Sequence, residues 1–158
     1  MTELLVGTKK GLFALQGEDG SFEITSRAFA GEPVEFAMRD PRSGRYLACV
    51  TSAFYGPKLF VTDDLAEEEW QQAEGIALPE DQEKPLERLW AVVPGEPDGL
   101  LYAGGAPGVL FESHDGGLTW ELNKAFWEQP TRPEWSPGAG GMCMHSIATW
   151  PGDPSRIA

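Results

Sequence analysis

The stretch Leu100-Leu101-Tyr102-Ala103-Gly104-Gly105, followed by Gly108-Val109-Leu110-Phe111-Glu112-Ser113 and then Thr119-Trp120-Glu121-Leu122, decides the fold. Each apolar run is short, rich in β-branched or aromatic residues and bounded by Gly or Pro, which predicts three successive strands. The same order occurs earlier as Tyr46-Leu47-Ala48-Cys49-Val50, Lys58-Leu59-Phe60-Val61-Thr62 and Glu69-Trp70-Gln71-Gln72. It occurs first as Leu4-Leu5-Val6-Gly7, Gly11-Leu12-Phe13-Ala14-Leu15 and Ser21-Phe22-Glu23-Ile24.

The Leu-Phe pairs end at positions 13, 60 and 111, and the aromatic residues that follow stand at 22, 70 and 120. A fourth strand precedes each later unit: Val34 to Met38, Leu89 to Val93 and His145 to Trp150. Each of these leads to an acid-Pro pair, Asp40-Pro41, Glu96-Pro97 and Asp153-Pro154, where the fixed φ of proline favours a turn. The alanines beyond those turns fall at 48, 103 and 158, at equal spacing. A period of about 50 residues with four strands per unit is the mark of β-propeller blades. The expected fold is therefore all-β: a partial β-propeller of about three four-stranded antiparallel blades.

The expected organisation is a single partial propeller over residues 1–158. Residues 1–30 form a first blade lacking its inner strand, 31–76 a second, 86–124 a third, and 142–158 the start of a fourth blade or a closing strand. Three blades are fewer than the usual four to eight, and an open arc would expose an apolar edge. The expectation is either a fragment of a longer propeller or a homodimer completing a ring.

Composition agrees with a globular all-β chain: 41% hydrophobic, 23% charged, with 19 Gly, 13 Pro, 6 Trp, 3 Tyr and 8 Phe. A net charge of −13 excludes a nucleic-acid partner, because 25 acids repel a phosphate backbone that 12 basic residues cannot neutralise. The start Met1-Thr2-Glu3-Leu4-Leu5-Val6-Gly7 is no signal peptide, and no window approaches the roughly 20 apolar residues of a membrane span. The two cysteines, Cys49 and Cys143, make no disulfide framework, so a cytoplasmic location is expected.

Ser113-His114-Asp115-Gly116-Gly117-Leu118-Thr119-Trp120 fits the Asp-box pattern Ser-x-Asp-x-Gly-x-Thr-Trp. Asp115 is suited to accept N–H bonds across a hairpin turn, the glycines supply positive φ, and Trp120 packs beneath. A decayed copy stands at Thr62-Asp63-Asp64 before Trp70, and a fainter one at Gly17-Glu18-Asp19-Gly20 before Phe22. In these residues the chain resembles the BNR/Asp-box repeat proteins, the sialidase-like β-propellers. The stretch from Pro130 to His145 resembles a bacterial subgroup usually described as BNR-like repeat or glycosyl hydrolase proteins. The resemblance implies that Ser113, Asp115, Gly117, Thr119 and Trp120 are structural, on the blade periphery.

A sialidase also needs three arginines for the substrate carboxylate, a Tyr nucleophile polarised by a Glu, and an acidic proton donor. Among Arg27, Arg39, Arg42, Arg45, Arg88, Arg132 and Arg156, only Arg39 is placed on a predicted inner strand, without the family's usual Arg-Ile-Pro context. Arg42, Arg45 and Arg156 are expected in turns, and Tyr46 and Tyr102 in packing. Arg39, Glu134 and His145 are the candidate catalytic residues. No cofactor is expected, and no metal site, since His114, His145 and Cys143 lack ligand spacing. Gly138 to Gly141 is not a phosphate loop, having no following helix or lysine. The run Glu67-Glu68-Glu69 reads as a solvated turn.

The long connections 26–34, 74–88 and 123–143 and the loop 51–57 are expected on one face, where binding usually resides. Phe54, Tyr55, Trp127, Arg132 and Trp135 are the candidate ligand-binding residues, suited to stack and clamp a sugar or a peptide. The alternative is that Trp127 and Trp135 merely cover blade edges. The expected function is a scaffold binding carbohydrate or protein through its loop face. The alternatives are a sialidase-like glycoside hydrolase whose catalytic set is completed by other blades, and an assembly-factor platform.

Overall fold

A computed structural model describes residues 1–67, 69–82 and 84–158. Sheet I is the antiparallel meander β1 (Thr2–Thr8), β2 (Gly11–Glu18) and β3 (Ser21–Ala28). Sheet II holds β4 (Val34–Arg39), β5 (Tyr46–Ser52), β6 (Gly56–Thr62) and β7 (Gln71–Gln72), in that order. Sheet III repeats it with β8 (Arg88–Pro94), β9 (Leu101–Ala106), β10 (Val109–Ser113) and β11 (Glu121–Leu122). A hairpin of β12 (Thr149–Trp150) and β13 (Asp153–Ile157) follows. The fold is all-β, in four antiparallel sheets, and none of them closes on itself.

Strand alternation decides how the sheets stack. On β5, Leu47 and Cys49 face sheet III, whereas Ala48 and Val50 face sheet I. On β6, Leu59 and Val61 point to sheet III and Phe60 to sheet I. One period later Phe111 points back to sheet II, and Leu110 points away from it into a third cluster with Leu100 and Tyr102. Sheets II and III are therefore apolar on both faces, which is why their runs read as continuous hydrophobic stretches. A β-bulge at Val34/Phe36 and another at Leu89/Ala91 keep the first strands of both sheets in step. Burial of the Cys49 thiol between the sheets pushes its pKa up to about 12, so it is an inert core residue.

The seam between sheets II and III is sealed at both ends. Asp40, 1% exposed, accepts from Arg42 N and Nε (both 3.1 Å) and from Ser43 Oγ (2.9 Å). The Arg42 guanidinium continues across the seam to the carbonyls of Gly95 (2.8 Å), Pro97 (2.6 Å) and Leu100 (2.9 Å). At the other edge, Glu74 N donates to Leu118 O and Trp120 N to Glu74 O, each at 2.9 Å. The seam between sheets I and II has fewer ties: Tyr46 Oη donates to Glu3 (3.1 Å) and Ser26 Oγ to Leu65 O (2.6 Å). The far face of sheet I is bare. Leu4, Val6 and Ile24 are exposed there, and Leu4, Leu15 and Ile24 form one cross-strand row.

Three expectations need correction. The strand expected from His145 is confined to Thr149–Trp150, with Ala148 and Ala158 exchanging backbone bonds beside it. Its upstream part is diverted onto sheet III, where Gly108 N donates to Met142 O and Met144 N to Gly105 O, both at 2.9 Å. Glycine permits this approach, because a Cβ on Gly104 would stand 2.7 Å from Met144 O. Arg156 lies in β13 rather than in a turn, and bonds Asp153 at 3.2 Å. The connection 123–143 carries a helical turn, α1 (Lys124–Trp127), and a 3-10 turn (Arg132–Glu134). Asn123 caps α1 by accepting from Phe126 N at 2.7 Å, which starts a helix too short to show any periodicity. Of the run Glu67-Glu68-Glu69, Glu68 lies outside the described residues, and Glu67 and Glu69 are exposed.

Candidate functional site

The Asp box is a finished turn. Leu118 N and Thr119 N donate to Asp115 Oδ1, both at 3.0 Å, Thr119 Oγ1 donates to Oδ2 at 2.6 Å, and Ser113 Oγ donates to Oδ1 at 2.8 Å. Gly117, at φ +94°, packs on Leu47, so no side chain fits there. Trp120, 3% exposed, donates from Nε1 to Gly117 O at 2.9 Å. Partial burial works against the charge of Asp115, but these hydrogen bonds outweigh it and hold the carboxyl below its usual range. Every polar atom of the turn that these bonds involve is spent on the turn itself.

Arg132 is likewise spent inside the fold. Its guanidinium lies 4.1 Å from the centroid of Trp127, 5.5 Å from Trp135 and 5.7 Å from Phe126. Its Nη1 donates to Gly108 O at 2.8 Å, and burial lowers its pKa from the ordinary guanidinium value. Trp127 also packs on the core between sheets II and III. This cluster pins the 123–135 connection to the β9–β10 turn.

Arg39, Glu134 and His145 are all exposed and stand on three separate elements. Arg39 sits at the end of β4, donates to Gly44 O at 3.1 Å and lies over the Tyr46 ring at 5.3 Å. Glu134 belongs to the 3-10 turn, and His145 to the segment laid along sheet III. No interaction among the described residues joins these three.

Phe54 and Tyr55, 90% and 79% exposed, form the tip of the β5–β6 hairpin. Beside Tyr55 opens a cleft of about 550 Å³, between the 28–33 connection and the face of sheet II. Val50, Phe60 and Phe29 are its apolar wall, and Glu32, Ser52, Lys58 and Gln72 its polar rim. Register explains this lining: Val50 pairs with Lys58 and Phe60 with Gln72, so all four share one face. Phe29 joins this wall from a left-handed backbone, φ +55°, which is strained for a bulky residue. Its ring meets Phe60 and Trp70, each with centroids 5.0 Å apart.

A second cleft of about 380 Å³ adjoins on the first-strand side, lined by Thr8, Lys9, Pro33, Glu35, Thr51 and Arg88 among others. Arg88 Nη1 donates to Glu35 at 3.0 Å across the seam, and Thr51 Oγ1 is buried without a partner among the described residues. Glu35 is the one carboxylate of this cleft, and it is ion-paired.

Sequence reasoning found Tyr55 but missed Phe29, Phe60, Glu35 and the pairing of Arg88. A search for opposite charges one period apart would have found the last, since Glu35 and Arg88 are 53 residues apart. Among the described residues, no group of three or more His, Cys, Asp or Glu is placed to hold a metal ion, and no helix is long and apolar enough to cross a membrane. Comparison with protein-family models and with curated proteins finds no match for this chain.

Proposed function

We propose that this chain is part of a sialidase-like, BNR/Asp-box repeat β-propeller that serves as a binding scaffold through its loop face. The observation that carries the reading is the cleft beside Tyr55, an apolar-walled pocket with a few polar groups at its rim, as ligand pockets generally are. Sheets II and III, alike in order and register, support the blade assignment. A hydrolase reading has less support, since general acid and base carboxylates are expected to face one another, and Glu35 is instead paired with Arg88.

The test is a titration of the isotope-labelled chain with neutral oligosaccharides and with peptides, followed by NMR. Binding should move the resonances of Tyr55, Lys58 and Phe60, and Tyr55→Ala should weaken it without altering the thermal midpoint. Turnover of a glycoside, lost on substituting Arg39 or Glu134, would support the hydrolase instead.

The bare face of sheet I extends the proposal to assembly. Val6 and Phe13 occupy the repeat positions of Ala48 and Phe60, which sheet I covers, and of Ala103 and Phe111, which sheet II covers. A second copy covers this face in the proposed ring of two chains. Light scattering then gives twice the 17.2 kDa of one chain, and Val6→Asp reduces it to a monomer. A wild-type monomer at high concentration would rule the ring out.

A further inference from the structure

The rim of the Tyr55 cleft carries two charges that form no ion pair among the described residues. Glu32 and Lys58 are both half-buried and both line the cavity, yet no opposite charge lies within ion-pair distance of either among the described residues. The ion pair Arg88–Glu35 sharpens the contrast, since it joins β8 to β4. A half-buried charge gives up part of its hydration and gains nothing until a partner arrives. The same cleft has the apolar wall of Val50, Phe29 and Phe60, suited to a flat ring.

We infer that the cleft takes a zwitterionic ligand with an apolar ring between its charges, of the size of an aromatic dipeptide with free ends. The ammonium meets Glu32, the carboxylate meets Lys58, and the ring packs on the wall that Val50, Phe29 and Phe60 form together, with Tyr55 at the mouth. A volume of about 550 Å³ is within the usual range for a ligand of this size. The inference rests on the reading of the loop face as a binding surface, and it names the ligand chemistry of that surface.

The probe is L-phenylalanyl-L-phenylalanine, compared with its N-acetylated and C-amidated forms by calorimetry and NMR on the full chain. The free dipeptide should bind about tenfold more tightly than either capped form, each of which leaves one partly buried charge unpaired. Glu32→Gln should erase the preference over the N-acetylated form only, and Lys58→Gln the preference over the amidated form only. Neither charge holds an ion pair among the described residues, so both variants should keep the wild-type thermal midpoint. Equal binding of all three forms, or preferences that survive in both variants, would overturn the inference. If neutral methyl glycosides move the resonances of Phe29 and Phe60 while the dipeptide does not, the zwitterion is wrong and the scaffold reading stands. If neither probe moves them, both fall.

Discussion

The two seams of this molecule are built from equivalent positions in a repeat, yet one is closed and the other is open. Between sheets II and III, Leu47, Leu59, Val92, Leu101, Phe111 and Trp120 form one buried cluster, clamped by Arg42 and the Asp box, which both bond the β8–β9 turn. Between sheets I and II the buried cluster is the smaller one of Leu12, Val34, Ala48 and Val50, and the seam gapes into the cleft beside Tyr55. The closed seam has a complete Asp box and backbone bonds from Glu74. The open one has a decayed box, a strained Phe29 and two charges, Glu32 and Lys58, that form no ion pair among the described residues. The difference teaches that the seam with the intact motif is packed closed, whereas the seam with the lapsed motif leaves an open cleft at its far end.

The repeat-equivalent phenylalanines break the comparison most directly. Phe111 is fully buried in the closed seam, whereas Phe60 is half-buried at the cleft and Phe13 half-buried on the bare face of sheet I. Phe111→Ala should cost about 3–5 kcal/mol, enough to leave much of the chain unfolded. Phe60→Ala should cost about half of that, and Phe13→Ala least of all in the monomer. Urea unfolding midpoints in that order support two unequal seams, and equal midpoints would refute them.

The clamps come next in size. Arg42→Ala strands the buried Asp40 and three carbonyls of sheet III, and should cost about 3 kcal/mol. Arg45→Ala removes a pair with the exposed Asp63 and two longer bonds to the Asp115 and Gly116 carbonyls, and should cost less, about 1–2 kcal/mol. The Asp40 and Asp115 carboxyls both lie below their ordinary value of 3.8: burial opposes the charge, but hydrogen bonds from Arg42 and Thr119 respectively prevail. A depressed pKa stabilises the fold above 3.8, and that stability is lost as pH falls through the folded values. Wild-type stability should therefore drop steeply in acid below about pH 4. In Arg42→Ala the Asp40 contribution is absent and the acid slope should be shallower, as thermal midpoints against pH would show.

Much of the sheet framework could be read from the sequence, because the spacing of Leu12-Phe13, Leu59-Phe60 and Leu110-Phe111 sets both the strands and the side each residue faces. The Asp box could be read for the same reason: its chemistry is local to eight residues. The candidate site was much less accessible. Tyr55 stood out by its exposed position in a loop, but Phe29 enters the cleft through a left-handed backbone that no pattern announces. Arg132 looked like a free clamp, since its rings at 126, 127 and 135 gather around it only once Asn123 caps the helical turn. Met142 to Met144, just before the strand expected from His145, lie on sheet III because Gly104, Gly105 and Gly108 admit them to that hairpin. Periodicity records which side a residue faces, and it is silent on irregular connections that fold back onto a sheet.

The smallest expected effect sharpens the comparison at its open end. Phe29 holds φ +55° while its ring packs on Phe60 and Trp70, so ring contact and backbone strain oppose each other at one residue. Phe29→Ala loses the rings' contact and keeps the strain. Phe29→Gly loses the same contact and relieves it, so it should be the more stable of the two by about 1 kcal/mol. That order reverses the usual one, in which glycine is the costlier residue through the entropy of the unfolded chain. Thermal midpoints of the two variants decide it. A more stable glycine variant means that the cleft is held open at a conformational cost that the closed seam does not bear, whereas a more stable alanine variant means that the backbone there is relaxed and the cleft is a simple gap in packing.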